Sequence, residues 1–432
     1  MVLDEANVDR LTEDILDKYR RFVNPGIAAV HSFSGFSVPE ERAKGCYIWD
    51  ASGRKFLDLV GGYGAFSLGH LHPRVVEAVR KQLEKEALKS HFLLCAELAE
   101  ACETLASVLP GDINYSFLCN SGAEAVEGAL KAARIHTGRP EFVGAIGGFH
   151  GKTFGSLSVS GRDVYKQGFH PLLPETRHVP FGDADALAAA VTNKTAAVIL
   201  EVIQGEGGVI VAPDDYFPKV REICTHSGAL LIIDEVRTAF GRTGRMFASE
   251  HYGIQPDIVT MAKALGGGVM PVGAFSSNAD VWDSMFGANP YLHSTTFGGN
   301  PIACVAVTAA IRTTLEEGLV ERSARLGEVL LSELKSLQAR YPDMIKDVRG
   351  KGLLAGIEFE MDDIALLVIA ACGKRDLLAA YSMNNPKVIR LEPPLIIEES
   401  ELARAIEIVA DAVAETAEMV QGLRMEQSVS TG

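Results

Sequence analysis

The sequence predicts an α/β protein: a largely parallel sheet between two layers of helices, followed by a smaller α+β domain. Three observations carry this. Between Val75 and about Leu315, helical stretches alternate with short runs rich in Val, Ile and Phe. Those runs are almost continuously apolar, the pattern of strands buried on both faces. After residue 315 the texture changes to long amphipathic stretches and two strands of mixed character.

Taken in order, the acidic start MVLDEANVDRLTEDILDKYRR carries Val8, Leu11, Ile15, Leu16 and Tyr19 at helical spacing. It reads as a surface helix of the mature protein, unlike a signal or transit peptide. YIWDASGRKFLDLV (47–60) is a hairpin turning at Ser52-Gly53, expected to join the C-terminal domain. Helices follow over 75–86, 96–108 and 122–136, and buried strands over 114–119, 142–146, 196–202, 229–234, 257–261 and 272–276. The remainder predicts a helix over 320–340, strands over 352–359 and 387–395, a helix from 399 to about 420, and a disordered tail, EQSVSTG. The domains divide as 1–60, which joins the small domain, 61–315, the large domain, and 316–432, the small domain.

Composition bounds the function. The chain has 432 residues, 47% apolar and 22% charged, enough for two or three packed domains and unlike a disordered or membrane-spanning protein. Its net charge of −15 repels nucleic acid and anionic membrane surfaces, which excludes both as expected partners. Seven dispersed cysteines, never spaced C-x-x-C, argue against a disulfide framework and point to the reducing cytoplasm. Eleven scattered histidines give no metal site.

The most informative segment is ALLIIDEVRTAFGRTGRMF (229–247), followed by QPDIVTMAKALGGG (255–268). One apolar strand ends on Asp234 and Glu235, and another ends just before Lys263, so charged groups stand where ligands bind such sheets. A lysine with an aspartate is the pair that pyridoxal phosphate chemistry needs. The amine forms a Schiff base, and the carboxylate keeps the pyridine nitrogen protonated. In CNSGAEAVEGALKAA (119–133) a strand runs through Ser121, Gly122 and Ala123 into a helix, a ready phosphate site. The plainer reading is an N-cap at Ser121 with Glu124 closing a capping box. IGGFHGKT (146–153) allows close backbone approach, and its Phe149 could lie flat on a heteroaromatic ring, with His150 beside it. Ile146 stands where a nucleotide P-loop needs glycine.

Together these residues resemble the class III (omega) aminotransferases, pyridoxal phosphate enzymes of fold type I with a mainly parallel seven-stranded sheet. The likeness runs in order through NPGIAAVHSFSGF, GHLHPRVVEAV, NSGAEA, GGFHGKT, EVIQGEGG, LIIDEVRTAFGRTG, MAKALGGG, HSTTFGGNP, RGKGLLAGIEF and IRLEPPL. Within the family it is to putrescine (diamine) aminotransferases, with ornithine and acetylornithine aminotransferases next. The resemblance implies that Lys263 holds the cofactor and shuttles the proton, and that Asp234 pairs with the ring nitrogen. Ser121, Gly122 and Ala123 would cradle the phosphate, with Thr296 reaching that of a neighbouring subunit, so active sites are shared in a homodimer, which could pair into a tetramer. Phe149 would stack on the ring, with His150, Val236 and Arg237 also at the cofactor. Glu206 would pair with Arg390 as a gate that frees the arginine when a 2-oxo acid such as 2-oxoglutarate replaces the amine donor.

Departures from the family pattern bear on the substrate. Arg237 replaces the usual glutamine and either donates to the ring's phenolic oxygen or points away. Val202 replaces a proline, leaving Gln204 and Glu206 in place. Lys152 stands where ornithine aminotransferases grip a carboxylate with arginine, and a lysine binds it less well, which leans toward diamines. The expected reaction is a ping-pong transfer from a terminal amine to a 2-oxo acid. A same-fold aminomutase or racemase, a pathway-specific aminotransferase acting on a secondary-metabolite aldehyde, and a cofactor-binding protein without turnover are the alternatives.

Overall fold

The computed structural model describes residues 4–34, 37–90 and 92–430. The end of the NPGIAAVHSFSGF stretch and the last two residues of the tail lie outside the described residues. The centre is a seven-stranded sheet ordered Tyr115–Cys119, Gly273–Ser277, Ile258–Met261, Leu230–Asp234, Thr195–Glu201, Glu141–Ala145, Thr176–Val179. Six strands run one way; Gly273–Ser277 is antiparallel to both neighbours. The link from Met261 to Gly273 explains the exception, because a parallel return needs a crossover of a dozen or more residues and here only a short turn, Lys263–Gly266, intervenes. The six same-sense strands therefore bring their carboxyl ends to one edge.

The six predicted strands all form, within one or two residues. The seventh strand, Thr176–Val179, is a four-residue edge strand with only Val179 buried, so the sequence shows no apolar run there. On one face, helix Gly122–Thr137 packs Val126, Ala129, Leu130 and Ala133 against the strands. Gly128 lets it lie close: a Cβ there would sit 2.3 Å from the Phe275 ring.

The C-terminal part folds as the antiparallel sheet Ile345–Lys351, Leu354–Phe359, Asn385–Leu391, Ala380–Ser382, under helices Leu319–Arg340, Asp362–Lys374 and Glu399–Ser430. The last helix overturns the expected disordered tail. It runs through Ser430, because Glu426 and Gln427 are good helix formers with no glycine or proline before the end. The N-terminal hairpin forms from Tyr47–Asp50 and Lys55–Asp58, its turn fixed by the Asp50 carboxylate accepting from the Ser52 and Arg54 N–H groups. It pairs with the C-terminal part through Leu377–Leu378, in a sheet of its own rather than in the antiparallel sheet.

Arg242 ties the two parts together. Wholly buried, it donates to the carbonyls of Leu353 and Pro393 and to Ser67 Oγ. No helix among the described residues is long and apolar enough to cross a membrane.

Candidate active site

At the sheet's carboxyl edge lies a cavity of about 480 Å³, within the usual range for small-molecule sites. Lys263 and Asp234 line it together, with Ser121, Gly122, Ala123, Phe149, His150, Glu206, Val236 and Arg237.

Asp234 ends its strand and is almost fully buried. Its Oδ1 accepts from the Val236 N–H at 3.0 Å and its Oδ2 lies 2.7 Å from His150 Nδ1. An ionised carboxylate only accepts, so His150 carries its proton on Nδ1. Burial opposes charge on His150, but the bond and charge of Asp234 outweigh it, and its pKa is raised. His150 thus orients the aspartate. Beside them Glu201, which also ends a strand, accepts from the Phe149 and Gly205 N–H groups, and burial raises its pKa.

Lys263 begins the turn after Ile258–Met261 with φ +50°, a left-handed conformation that costs a non-glycine residue on the order of 1 kcal/mol or more. Burial, then the nearby charge of Arg237, lowers its pKa to about 7 despite the opposing pull of Glu392 and Glu206. Near neutral pH the amine is therefore substantially unprotonated and nucleophilic.

Helix Gly122–Thr137 points its N-terminus into the same cavity. Ser121 caps it by accepting from the Glu124 N–H, while the Glu124 carboxylate accepts from the Asn120 N–H rather than closing a box onto Ser121. The cap forms without the box, and because capping uses the serine as an acceptor its hydroxyl proton is left to donate. A helix N-terminus for a phosphate, an aspartate for a pyridinium, an aromatic ring in Phe149 and a neutral lysine form a set that fits pyridoxal phosphate.

Next to Lys263 is a buried ring of charges. Arg237 donates from Nη2 to Glu206 and from Nη1 to both Glu392 oxygens, at 3.0 and 2.8 Å, and to the Tyr63 carbonyl. Arg390 lies 3.2 Å from Glu206 through Nη1 and 2.8 Å from Glu392 through Nε. Its Nη2 is buried with no partner among the described residues. Burial disfavours the charge of Glu392, but the arginines, Arg237 first, hold its pKa down to about 2. The Arg237 guanidinium thus holds both carboxylates and the Tyr63 carbonyl while the side chain still lines the cavity.

The other expected residues sit apart. Arg390, a member of the ring, does not line the cavity, and Lys152 is exposed with Nζ 4.3 Å from the Tyr165 ring. Thr296 is exposed and does not line the cavity of its own chain. Glu235 turns away, its oxygens accepting from Thr238 Oγ1 and the Ser249 N–H. Sequence reasoning missed Glu201 and Glu392. Glu201 closes an apolar run as Asp234 does, and the two are register neighbours; Glu392 shares a strand face with Arg390 by i, i+2 spacing.

The profile of the family described as aminotransferase class-III matches residues 29–413. A putrescine aminotransferase of Pectobacterium atrosepticum is 44% identical over 425 residues, covering 95% of this chain and 91% of that protein. Among solved structures, an ornithine aminotransferase of Toxoplasma gondii superposes with TM-score 0.88 at 30% identity, covering 96% of this chain and 99% of that one. A second structure of that enzyme, described with partial occupancy of pyridoxal phosphate at its active site, gives 0.85 at 30% identity, over 94% and 98%. A transaminase of the marine bacterium Virgibacillus gives 0.87 at 27% identity, over 95% and 100%.

Proposed function

The chain belongs to the class III aminotransferase family, pyridoxal phosphate enzymes of fold type I, and from that premise we propose that it moves the amino group of a terminal amine to a 2-oxo acid in two half-reactions. Diamines such as putrescine and cadaverine, and ornithine-like amines, are the donors; 2-oxoglutarate is the acceptor. The observation that carries this reading is the single cavity lined by a lysine of lowered pKa, a buried aspartate and Glu206, with Arg390 paired to Glu206 just outside the lining.

The bound cofactor supplies an electron sink that makes the carbon bearing nitrogen acidic. The protein does the rest. Lys263 Nζ, its pKa lowered to about 7, takes that proton and returns it. Asp234, fixed by His150 and the Val236 N–H, would hold the ring nitrogen. Phe149 covers one face of the ring, and Ser121, Gly122 and Ala123 anchor the phosphate. Glu206 neutralises Arg390 while an amine is bound and yields it to the carboxylate of the acceptor.

A homodimer with shared sites belongs to the same proposal, with Thr296 as the residue lent to the neighbour. It is supported by large apolar side chains left in water: Leu94 is fully exposed, Phe92 is 96% exposed and Tyr291, near Thr296, is 82% exposed. All seven cysteines are free, in keeping with a cytoplasmic enzyme.

The test is spectroscopic. Putrescine, cadaverine or ornithine added to the holoenzyme bleaches the cofactor's visible band, and 2-oxoglutarate restores it; silence toward every primary amine overturns the proposal.

A further inference from the structure

Four charges are enclosed beside Lys263, and their sum is the informative quantity. Glu206 and Glu392 contribute two negative charges, Arg390 and Arg237 two positive ones, so the ring is neutral. With an uncharged residue at 237 it would carry one net negative charge. Arg237 and Glu206 line the cavity, whereas Arg390 and Glu392 do not, so the sign of that sum is felt by whatever occupies the cavity.

The backbone is shaped around Arg237. A Cβ at Gly205 would lie 2.1 Å from Arg237 Nε, and the Tyr63 carbonyl accepts from its Nη1. Gly64 sits where Arg237, Glu392 and Lys263 converge, a Cβ there being 3.7 Å from an atom of each. The guanidinium has one fixed place, between two carboxylates.

We propose that Arg237 is a specificity-determining residue, which sets this wall of the cavity at zero charge and gives Glu206 a permanent counter-ion. Two consequences follow for the substrate's far end, and they have opposite sign. A second ammonium, as in a diamine, meets no surplus negative charge and is bound less well than it would be without Arg237. A carboxylate is bound better: Arg390 can turn its unpartnered Nη2 edge toward it while Glu206 stays on Arg237 and on the Met383 N–H, so that no buried carboxylate is stranded. Relative to an uncharged residue at 237, Arg237 therefore shifts the preference for the far end away from an ammonium and toward a carboxylate. This rests on the reading of the cavity as the site of amine donors and 2-oxo acids.

The experiment is calorimetric titration of holoenzyme in its pyridoxamine phosphate form, with putrescine and with glutarate, neither of which that form can convert. In Arg237→Gln, putrescine should tighten and glutarate weaken, each by about tenfold, the scale of one charge at short range in a partly screened site. In Arg237→Gln/Glu392→Gln, neutrality returns, so putrescine binds as in the parent protein. Glutarate stays weak there, because Glu206 again has only Arg390. Both ligands moving together, or neither moving, overturns the proposal. If the single variant fails to fold, the double variant decides by the same criterion: glutarate unchanged there sinks it. Arg390→Gln separates the underlying reading, since glutarate binding that survives it removes the gate itself, whereas its loss beside an unresponsive Arg237→Gln condemns only the role of Arg237.

Discussion

Lys263 is held at a double cost, a left-handed backbone and an amine out of water, and both serve its reactivity. Its pKa of about 7, against an ordinary 10.5, gives a pH dependence of definite sign. In the cofactor-free protein, the rate of capturing pyridoxal phosphate should rise through pH 7 and level off above it, as stopped-flow absorbance would show. Between about 7 and 10.5 the unfolded chain binds the extra proton, so this residue makes stability increase with pH over that window and imposes its full penalty below it. Urea unfolding of the cofactor-free protein at pH 7 and 9 should show that gain shrinking in Lys263→Met. His150→Phe should leave Asp234 with only the Val236 N–H, loosening the cofactor about tenfold and lowering kcat more than KM, on the scale of one lost charge-assisted bond of about 1.5 kcal/mol. His150→Asn should recover part of the loss, and an unaltered cofactor affinity in His150→Phe would show the bond to be incidental. Lys263 and Asp234 were legible in the sequence because each closes an apolar run. Glu392 was not, because its partner Arg237 is 155 positions away and neither neighbourhood hints at the other.

At the scale of elements, helix Gly122–Thr137 is the part on which the site depends most, since its N-terminus faces the cavity and its flank lies on the sheet. Ser121→Ala removes the cap and, on the proposed reading, a phosphate donor together. It should cost about 1 kcal/mol in urea unfolding and weaken retention of the cofactor, measured by dialysis. Gly128→Ala should instead cost about 1–3 kcal/mol by crowding Phe275 while leaving cofactor affinity nearly unchanged, which separates the helix's two jobs. Strands and helices with a strong apolar period were readable from the sequence to within a few residues. The edge strand Thr176–Val179 and the final turns of the last helix were not, since neither relies on an apolar face.

For the whole molecule, the exposed Phe92, Leu94 and Tyr291 and the outlying Thr296 lead to a prediction about assembly. Sedimentation should give a dimer at micromolar concentration. Mixing Lys263→Ala with Thr296→Ala subunits should then produce hybrids containing one intact site, recovering part of the parent's turnover; strict additivity of the two variants' activities would refute the exchange. The charge ring also joins distant stretches of chain, since Glu206 and Arg237 belong to the central sheet's loops while Arg390 and Glu392 lie at and just past the end of strand Asn385–Leu391. During synthesis on the ribosome, the first two emerge more than a hundred and fifty residues before the last. The ring therefore cannot close on a nascent chain, and any message truncated ahead of codon 390 yields a product that lacks its second half.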